Sequence, residues 1–139
     1  ELMGRPPAYV HPHSLVSAAS DEVVRQVGAE LGVPYVDDLY RDGTIPLLPN
    51  DWYATPFPWE AQAAADAVGA LKRMLPAITS NDLSLLIVHP GYVDAEILEV
   101  STYSIIRARD LELVTAPESR LLLRDAGVEI VSFSGAGLL

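Results

Sequence analysis

The feature that most constrains this chain is an apolar run over residues 83–88 that stops abruptly at a histidine. The continuous apolar residues Leu85 to Val88 predict a strand that is buried on both faces. Pro90 lacks a backbone donor and favours an extended His89, and Gly91 permits backbone angles that other residues avoid, which predicts a defined turn. Because ligands bind at the carboxyl ends of parallel strands, His89 is a candidate functional residue. The alternative is a histidine that only caps the strand.

A second candidate strand, residues 8–13, also carries histidines. Side chains alternate along a strand, so Tyr9, His11 and His13 are expected on one side. The His-x-His spacing is compatible with metal binding, although two such histidines also occur often on protein surfaces.

Residues 33–38 predict another short strand, which ends in Asp37 and Asp38. These aspartates are candidates for ligands or bases at the same edge. The alternative is stronger for them, because paired aspartates commonly begin loops and accept backbone hydrogen bonds.

Strands and helices are expected to alternate along the chain. Predicted strands cover 8–13, 33–38, 83–88 and 128–133, and predicted helices cover 20–31, 60–78 and 104–126, the last interrupted near Pro117, with a mixed loop at 94–103. This order predicts an α/β fold with a parallel sheet and right-handed crossovers. Such a sheet would bring His11, His13 and His89 to one edge.

The segment 39–59 is rich in proline and is expected to form a long loop. It contains the aromatic residues Tyr40, Trp52, Tyr53, Phe57 and Trp59. Loops of this length are often binding loops, and aromatic side chains suit stacking against a sugar. The alternative is a loop folded over its own aromatic cluster.

Length and charge limit the class of protein. The 139 residues, half of them hydrophobic, are enough for one globular domain, 1–139, or for part of a larger one. A net charge of −10 opposes binding to nucleic acid or anionic membranes and favours a neutral or cationic small substrate. With no cysteine, any metal must be held by histidine, carboxylate or water. No apolar run is long enough to cross a bilayer and no signal peptide is evident, so a cytoplasmic location is expected.

Three segments together resemble the carboxyl-terminal half of the YdjC-like carbohydrate deacetylases, the chitooligosaccharide deacetylase family. The segment from Gly4 to His13 resembles the family pattern Gly-x-Pro-Pro-x-x-x-Asp-Ser-His and is followed by a family-like Gly-Val-Pro. His89-Pro-Gly-Tyr-Val-Asp is the second segment. The third runs from Arg107-x-x-Asp110-Leu to the end of the predicted strand 128–133, and resembles the family's Arg-x-x-Glu-Leu helix and closing strand.

The resemblance implies a metal-dependent amide hydrolase on an irregular (β/α) barrel, which removes acetyl groups from N-acetylated amino sugars or oligosaccharides. It places His13 on a ligand of a divalent metal, zinc or magnesium. It makes His89 the catalytic acid that protonates the leaving amine or stabilises the tetrahedral intermediate. Further candidates for supporting or substrate contacts are His11, Trp52, Trp59, Tyr92 and Arg107.

The chain also departs from the family pattern. His11 stands where the family has an aspartate, and Leu15 and Ser17 replace two further histidines. The family's amino-terminal half, which carries the other metal ligands, has no counterpart in these residues. The expected partners are therefore the substrate sugar and either that missing half or further copies of the chain. The alternative function is a non-catalytic fragment or subunit that binds carbohydrate or a partner chain.

Overall fold

The computed structural model describes residues 7–12, 17–49 and 58–138. The chain divides into two compact units, one formed by Glu1–Pro46 with Ile130–Leu139 and the other by Leu47–Glu129. The first unit contains helices α1 (Ala18–Leu31) and α2 (Val36–Arg41). The second contains α3 (Trp59–Ala64), α4 (Ala67–Thr79), α5 (Ala95–Val100), α6 (Ile106–Thr115) and α7 (Pro117–Asp125).

Helix α1 confirms the helix predicted over 20–31. It begins in a capping box, in which the Ser17 side chain accepts from the Ser20 backbone and the Ser20 side chain accepts from the Ser17 backbone. It ends at Gly32, whose φ of 66° lies in the left-handed region that glycine adopts easily.

The strand predicted over 33–38 is wrong beyond Tyr35. Tyr35 forms one isolated parallel bridge with Val10, supported by hydrogen bonds from Val10 N to Pro34 O at 3.0 Å and from Val36 N to Val10 O at 3.1 Å. Helix α2 then begins at Val36, with Asp37 and Asp38 in its first turn. Carboxylates are favourable at a helix amino terminus, which explains why these residues start a helix rather than end a strand.

The single helix predicted over 60–78 is two helices. Ala65 is extended and Asp66 caps α4, because its side chain accepts a hydrogen bond from the Gly69 backbone at 2.8 Å. Helix α4 then continues past Pro76 to Thr79. The segment 94–103, predicted as a loop, likewise contains α5, which Asp94 caps through a 3.0 Å bond from Ile97 N.

The interruption predicted near Pro117 is confirmed. Helix α6 ends at Thr115, Ala116 is extended, and Pro117 occupies the first position of α7. Proline is favoured there because the first helical residue has no helical partner for a backbone donor.

The second unit is organised around the packing of α4 against α6 and α7. Its core combines α4, α6 and the segment before α3, and consists of the buried residues Leu48, Ala67, Ala70, Leu71, Met74, Ile106 and Leu113. Leu86 and Val88 from the predicted strand 83–88 are partly buried against this core. Because Leu86 and Val88 pack against this core, α4 helps to fix the position of the segment that leads to His89.

Over the described ranges, pairing between extended segments consists of two isolated parallel bridges, Val10 with Tyr35 and Leu47 with Leu85. Residues 128–133 form no bridge there, and Ile130 is 80% exposed. The parallel sheet and the (β/α) barrel therefore stay predictions. Among the helices of these ranges, none is both long and apolar enough to span a bilayer.

Candidate functional site

His89 lies in an irregular segment, residues 86–94, that helix α6 holds through the backbone. The turn predicted at His89 is wrong, because this segment contains no turn or bend. The His89 N–H donates to Oδ2 of Asp110 at 2.6 Å, and Asp110 is completely buried. Two residues later, the Gly91 N–H donates to the backbone carbonyl of Arg107 at 3.2 Å. The two donors on either side of Pro90 thus both end on α6, which fixes the path of this segment.

The imidazole of His89 is half-buried and rests near an aromatic ring. The Tyr103 ring meets it edge to face, with ring centroids 5.8 Å apart and an interplanar angle of 72°. The Nε of Arg107 donates to the Tyr103 carbonyl at 2.8 Å, which ties the segment that carries this ring to α6. An imidazole in such a position is held in place and can still exchange protons with a bound molecule or water.

The amino terminus of α6 is itself fixed by a buried glutamine. Oε1 of Gln62 accepts from the backbone N–H groups of Ser104 at 3.1 Å and Ile106 at 3.2 Å, and Nε2 donates to Thr102 O at 2.7 Å. These bonds satisfy donors at the start of α6 that have no helical partner. Helix α3, which carries Gln62, therefore supports the element that holds His89.

The first unit contains a separate cluster around Asp37. Its side chain is 2% exposed, and its Oδ1 lies 3.2 Å from Nε2 of His11. The two atoms are close, but Oδ1 makes no aligned hydrogen bond. Oδ2 lies 3.2 Å from the Arg41 guanidinium and accepts a 3.3 Å bond from the Tyr35 hydroxyl.

Tyr35 is the centre of this cluster. Its hydroxyl donates to Asp21 at 2.8 Å, and the guanidinium groups of Arg25 and Arg41 lie 4.6 and 5.8 Å from its ring centroid. Burial, together with the bond to Asp21, raises the pKa of Tyr35 to about 12. Hydrogen bonds from Arg41 and Tyr35 lower the pKa of Asp21. Asp38 forms an ion pair with Arg25 at the surface, so both candidate aspartates of α2 have partners.

The site residues predicted from the sequence fall into three groups. His13 and Trp52 lie outside the described residues. His11 belongs to the first unit, whereas Trp59, His89, Tyr92 and Arg107 belong to the second. Convergence of the histidines therefore stays a prediction. Within residues 7–12, 17–49 and 58–138, no group of three or more histidine, aspartate or glutamate side chains is arranged to hold a metal ion.

Two predicted aromatic contacts lie at the surface of the second unit. The exposed fraction is 89% for Tyr92 and 59% for Trp59, the first residue of α3. Arg107 is partly buried, and its side chain supports the Tyr103 segment.

Sequence reasoning missed the roles of Tyr103, Gln62 and Asp110 around His89. The sequence did contain a signal for the role of Asp110. Asp110 is part of the Arg107-x-x-Asp pattern, and residues three apart lie on the same face of a helix. Gln62 had none, since an isolated glutamine in an alanine-rich helix is ordinarily exposed.

Parts of the chain are similar to carbohydrate deacetylases of Listeria. A stretch of 57 residues, 41% of this chain, is 40% identical to carbohydrate deacetylase 2 of Listeria innocua and covers 23% of that protein. A stretch of 82 residues, 57% of this chain, is 30% identical to a carbohydrate deacetylase of Listeria welshimeri and covers 34% of it. The matched part thus spans about a quarter to a third of these relatives. No protein-family model and no solved structure matches the chain.

Proposed function

We propose that this chain is part of a metal-dependent hydrolase that removes acetyl groups from N-acetylated amino sugars or oligosaccharides. The observation that carries the proposal is the partial identity to carbohydrate deacetylases. The Gly-x-Pro-Pro, His-Pro-Gly and Arg-x-x-Asp segments, which resemble YdjC-like enzymes, assign the chain to the carboxyl-terminal half of such a protein. The fold proposed with it is an irregular (β/α) barrel, completed by further chain or by a partner.

The chemistry needs a proton donor at the leaving nitrogen. Attack of water on an acetamide gives a tetrahedral intermediate, and the amine is a poor leaving group until it is protonated. We assign that proton to the imidazole of His89. The segment held by α6 would keep this ring in one place while the sugar binds.

A divalent ion would supply an acidified water and polarise the acetamide carbonyl. The resemblance assigns His13 as one of its ligands. Since the described residues provide no group of three ligands, the chemical role proposed for this part of the chain is that of His89.

The test is release of free amine from N,N′-diacetylchitobiose by the complete enzyme, that is, this chain together with the further chain or partner that completes it. The wild-type enzyme is compared with His89→Asn, which removes the proton donor and keeps a polar side chain. General acid catalysis contributes roughly 10²–10⁴-fold, and a loss of that size is expected. Gln26→Ala, on the exposed face of α1, is the matched control and should keep full activity. Full activity in His89→Asn would refute the assignment of the acid.

Metal dependence is tested separately. Dialysis against a chelator should abolish amine release, and added zinc or magnesium should restore it. His13→Ala should lower the metal content measured on the purified protein, which is a readout independent of activity. An unchanged metal content would remove His13 from the proposed ligands.

The second candidate function is carbohydrate binding without catalysis. It is favoured by the exposed rings of Tyr92 and Trp59, because flat aromatic faces stack well on sugars. Binding of the same disaccharide, measured by calorimetry, would then be unaffected by a chelator and weakened in Trp59→Ala. No amine release accompanied by chelator-insensitive binding would favour this function over hydrolysis.

A further inference from the structure

We infer that Asp110 is the positioning residue of His89, which rests on the role proposed above for that histidine. Asp110 lies in the middle of α6 and is 0% exposed. Burying a carboxylate is costly unless it is hydrogen-bonded, so its location calls for a specific partner. The backbone N–H of His89, 21 residues away along the chain and 2.6 Å from Oδ2, is such a partner.

The hydrogen bond between the His89 N–H and Asp110 acts at the residue that is proposed as the catalytic acid. A carboxylate that accepts from an N–H makes a shorter and stronger bond than a neutral acceptor does. The neighbouring bond from Gly91 to the Arg107 carbonyl is 3.2 Å long and involves a neutral acceptor. The bond to Asp110 is therefore the stronger of the two attachments between this segment and α6.

Spacing on α6 explains how one helix holds both sides of Pro90. Arg107 and Asp110 are three residues apart and lie on one face of the helix. Pro90 itself offers no backbone donor, so the segment is attached at His89 and Gly91. The backbone is thus held at both points, and the Tyr103 ring contacts the His89 imidazole edge to face.

The first experiment compares Asp110→Ala with Asp110→Asn. Alanine removes the acceptor, whereas asparagine keeps an acceptor oxygen of the same reach. Amide hydrogen exchange at His89 should be at least about tenfold faster in Asp110→Ala and should return towards the wild-type rate in Asp110→Asn. The ring resonances of His89, one of only three histidines, should shift in Asp110→Ala alone.

Leu113→Ala is the matched control for simple destabilisation. Leu113 is buried in the same helix, 3% exposed, and packs in the core of the second unit. Its truncation should lower stability and leave the His89 ring resonances and the His89 exchange rate, relative to other slow amides, unchanged. Equal effects of Leu113→Ala and Asp110→Ala on His89 would overturn the inference, and so would a wild-type exchange rate in Asp110→Ala.

The activity arm separates this inference from the function on which it rests. A misplacement of about 1 Å can cost roughly 10²-fold in rate, so kcat should fall by about that factor in Asp110→Ala while KM changes little. Asp110→Asn should recover most of the loss. A complete wild-type enzyme, this chain with the further chain or partner that completes it, that lacks deacetylase activity and still shows the exchange pattern would refute the proposed function and leave the positioning of His89 intact.

A measurement on the unchanged protein covers the case in which Asp110→Ala does not fold. The His89 amide proton, bonded to a carboxylate at 2.6 Å, should show a larger downfield secondary shift than the Gly91 amide proton, bonded to a carbonyl at 3.2 Å. Equal secondary shifts for these two protons would contradict the inference.

Discussion

Nε2 of His11 lies 3.2 Å from Oδ1 of Asp37, whose side chain is 2% exposed. The same carboxylate also contacts Arg41 and Tyr35. Asp37→Ala should lower the free energy of unfolding by about 1–3 kcal/mol, because it removes a buried carboxylate whose Oδ2 accepts a hydrogen bond and faces the Arg41 guanidinium. Urea denaturation followed by circular dichroism measures this loss.

The neighbouring aspartate provides the control for Asp37→Ala. Asp38 pairs with Arg25, and both side chains are 41% exposed. Exposed ion pairs are worth less than about 1 kcal/mol, so Asp38→Ala should have a small effect. Equal losses of unfolding free energy in Asp37→Ala and Asp38→Ala would show that burial does not make the contacts of Asp37 more stabilising.

The raised pKa of Tyr35 predicts a loss of stability at alkaline pH. Its pKa is raised from the ordinary value of 10.0 to about 12, chiefly by burial and also by the hydrogen bond to Asp21. A raised folded-state pKa means that the contribution is complete below pH 10 and is lost as the pH rises from about 10 to 12. Thermal unfolding midpoints of wild-type protein should therefore fall more steeply over this interval than those of Tyr35→Phe. Parallel curves would contradict the prediction.

Replacing Gln62 by leucine, a residue of similar shape, should lower the stability of the protein. Gln62→Leu removes the acceptor of the Ser104 and Ile106 N–H groups and the donor to Thr102, so the free energy of unfolding should fall by about 1–3 kcal/mol. Gln26→Leu changes an exposed glutamine that bonds only to Glu22 in its own helix, and should stay within about 0.5 kcal/mol of wild type. Chemical denaturation distinguishes the two, and similar midpoints would refute the role of Gln62.

Two glycines should respond differently to alanine. A Cβ on Gly28 would lie 2.9 Å from Cγ2 of Val10 and 3.0 Å from the Val33 carbonyl oxygen. Overpacking of this kind costs about 1–3 kcal/mol, which exceeds the roughly 1 kcal/mol that alanine gains over glycine in a helix. A Cβ on Gly91 would lie 3.7 Å from Cδ of Arg107, an ordinary contact, so Gly91→Ala should be nearly neutral. Thermal denaturation of both variants tests the difference.

The contrast at Gly91 shows which parts of the site the sequence could predict. The Pro90-Gly91 pair predicted a turn at His89, but residues 86–94 form an irregular segment without a turn or bend. The prediction relied on the backbone freedom of glycine, and Gly91 does not adopt the left-handed conformation. The segment is held by Asp110 and the Arg107 carbonyl, which follow about 20 residues later. Contacts between distant segments of this kind have no local sequence signal.

Short sequence patterns predicted correctly those helix ends that are determined by residues close together in the chain. The Ser20-Asp21-Glu22 sequence and Gly32 indicated α1, which begins slightly earlier, at Ala18, and Pro117 indicated the interruption before α7. The helix of 60–78 was predicted as continuous because alanine has a high helix propensity, and the capping bond of Asp66 to Gly69 N was overlooked. The apolar residues of 33–38 favoured a strand. The paired carboxylates Asp37 and Asp38 instead stabilise the amino terminus of helix α2.

The exposed apolar residues have a consequence for how copies of this chain behave in solution. Ile130 is 80% exposed, and Val100 and Leu98 are 73% and 56% exposed, which leaves apolar surface available for contact between copies. The net charge of −10 opposes such contact by mutual repulsion. Salt shortens the range of that repulsion from about 10 Å at 0.1 M to about 3 Å at 1 M. Light scattering should therefore find particle size rising with ionic strength, so that dilute buffer rather than saline preserves the dispersed protein.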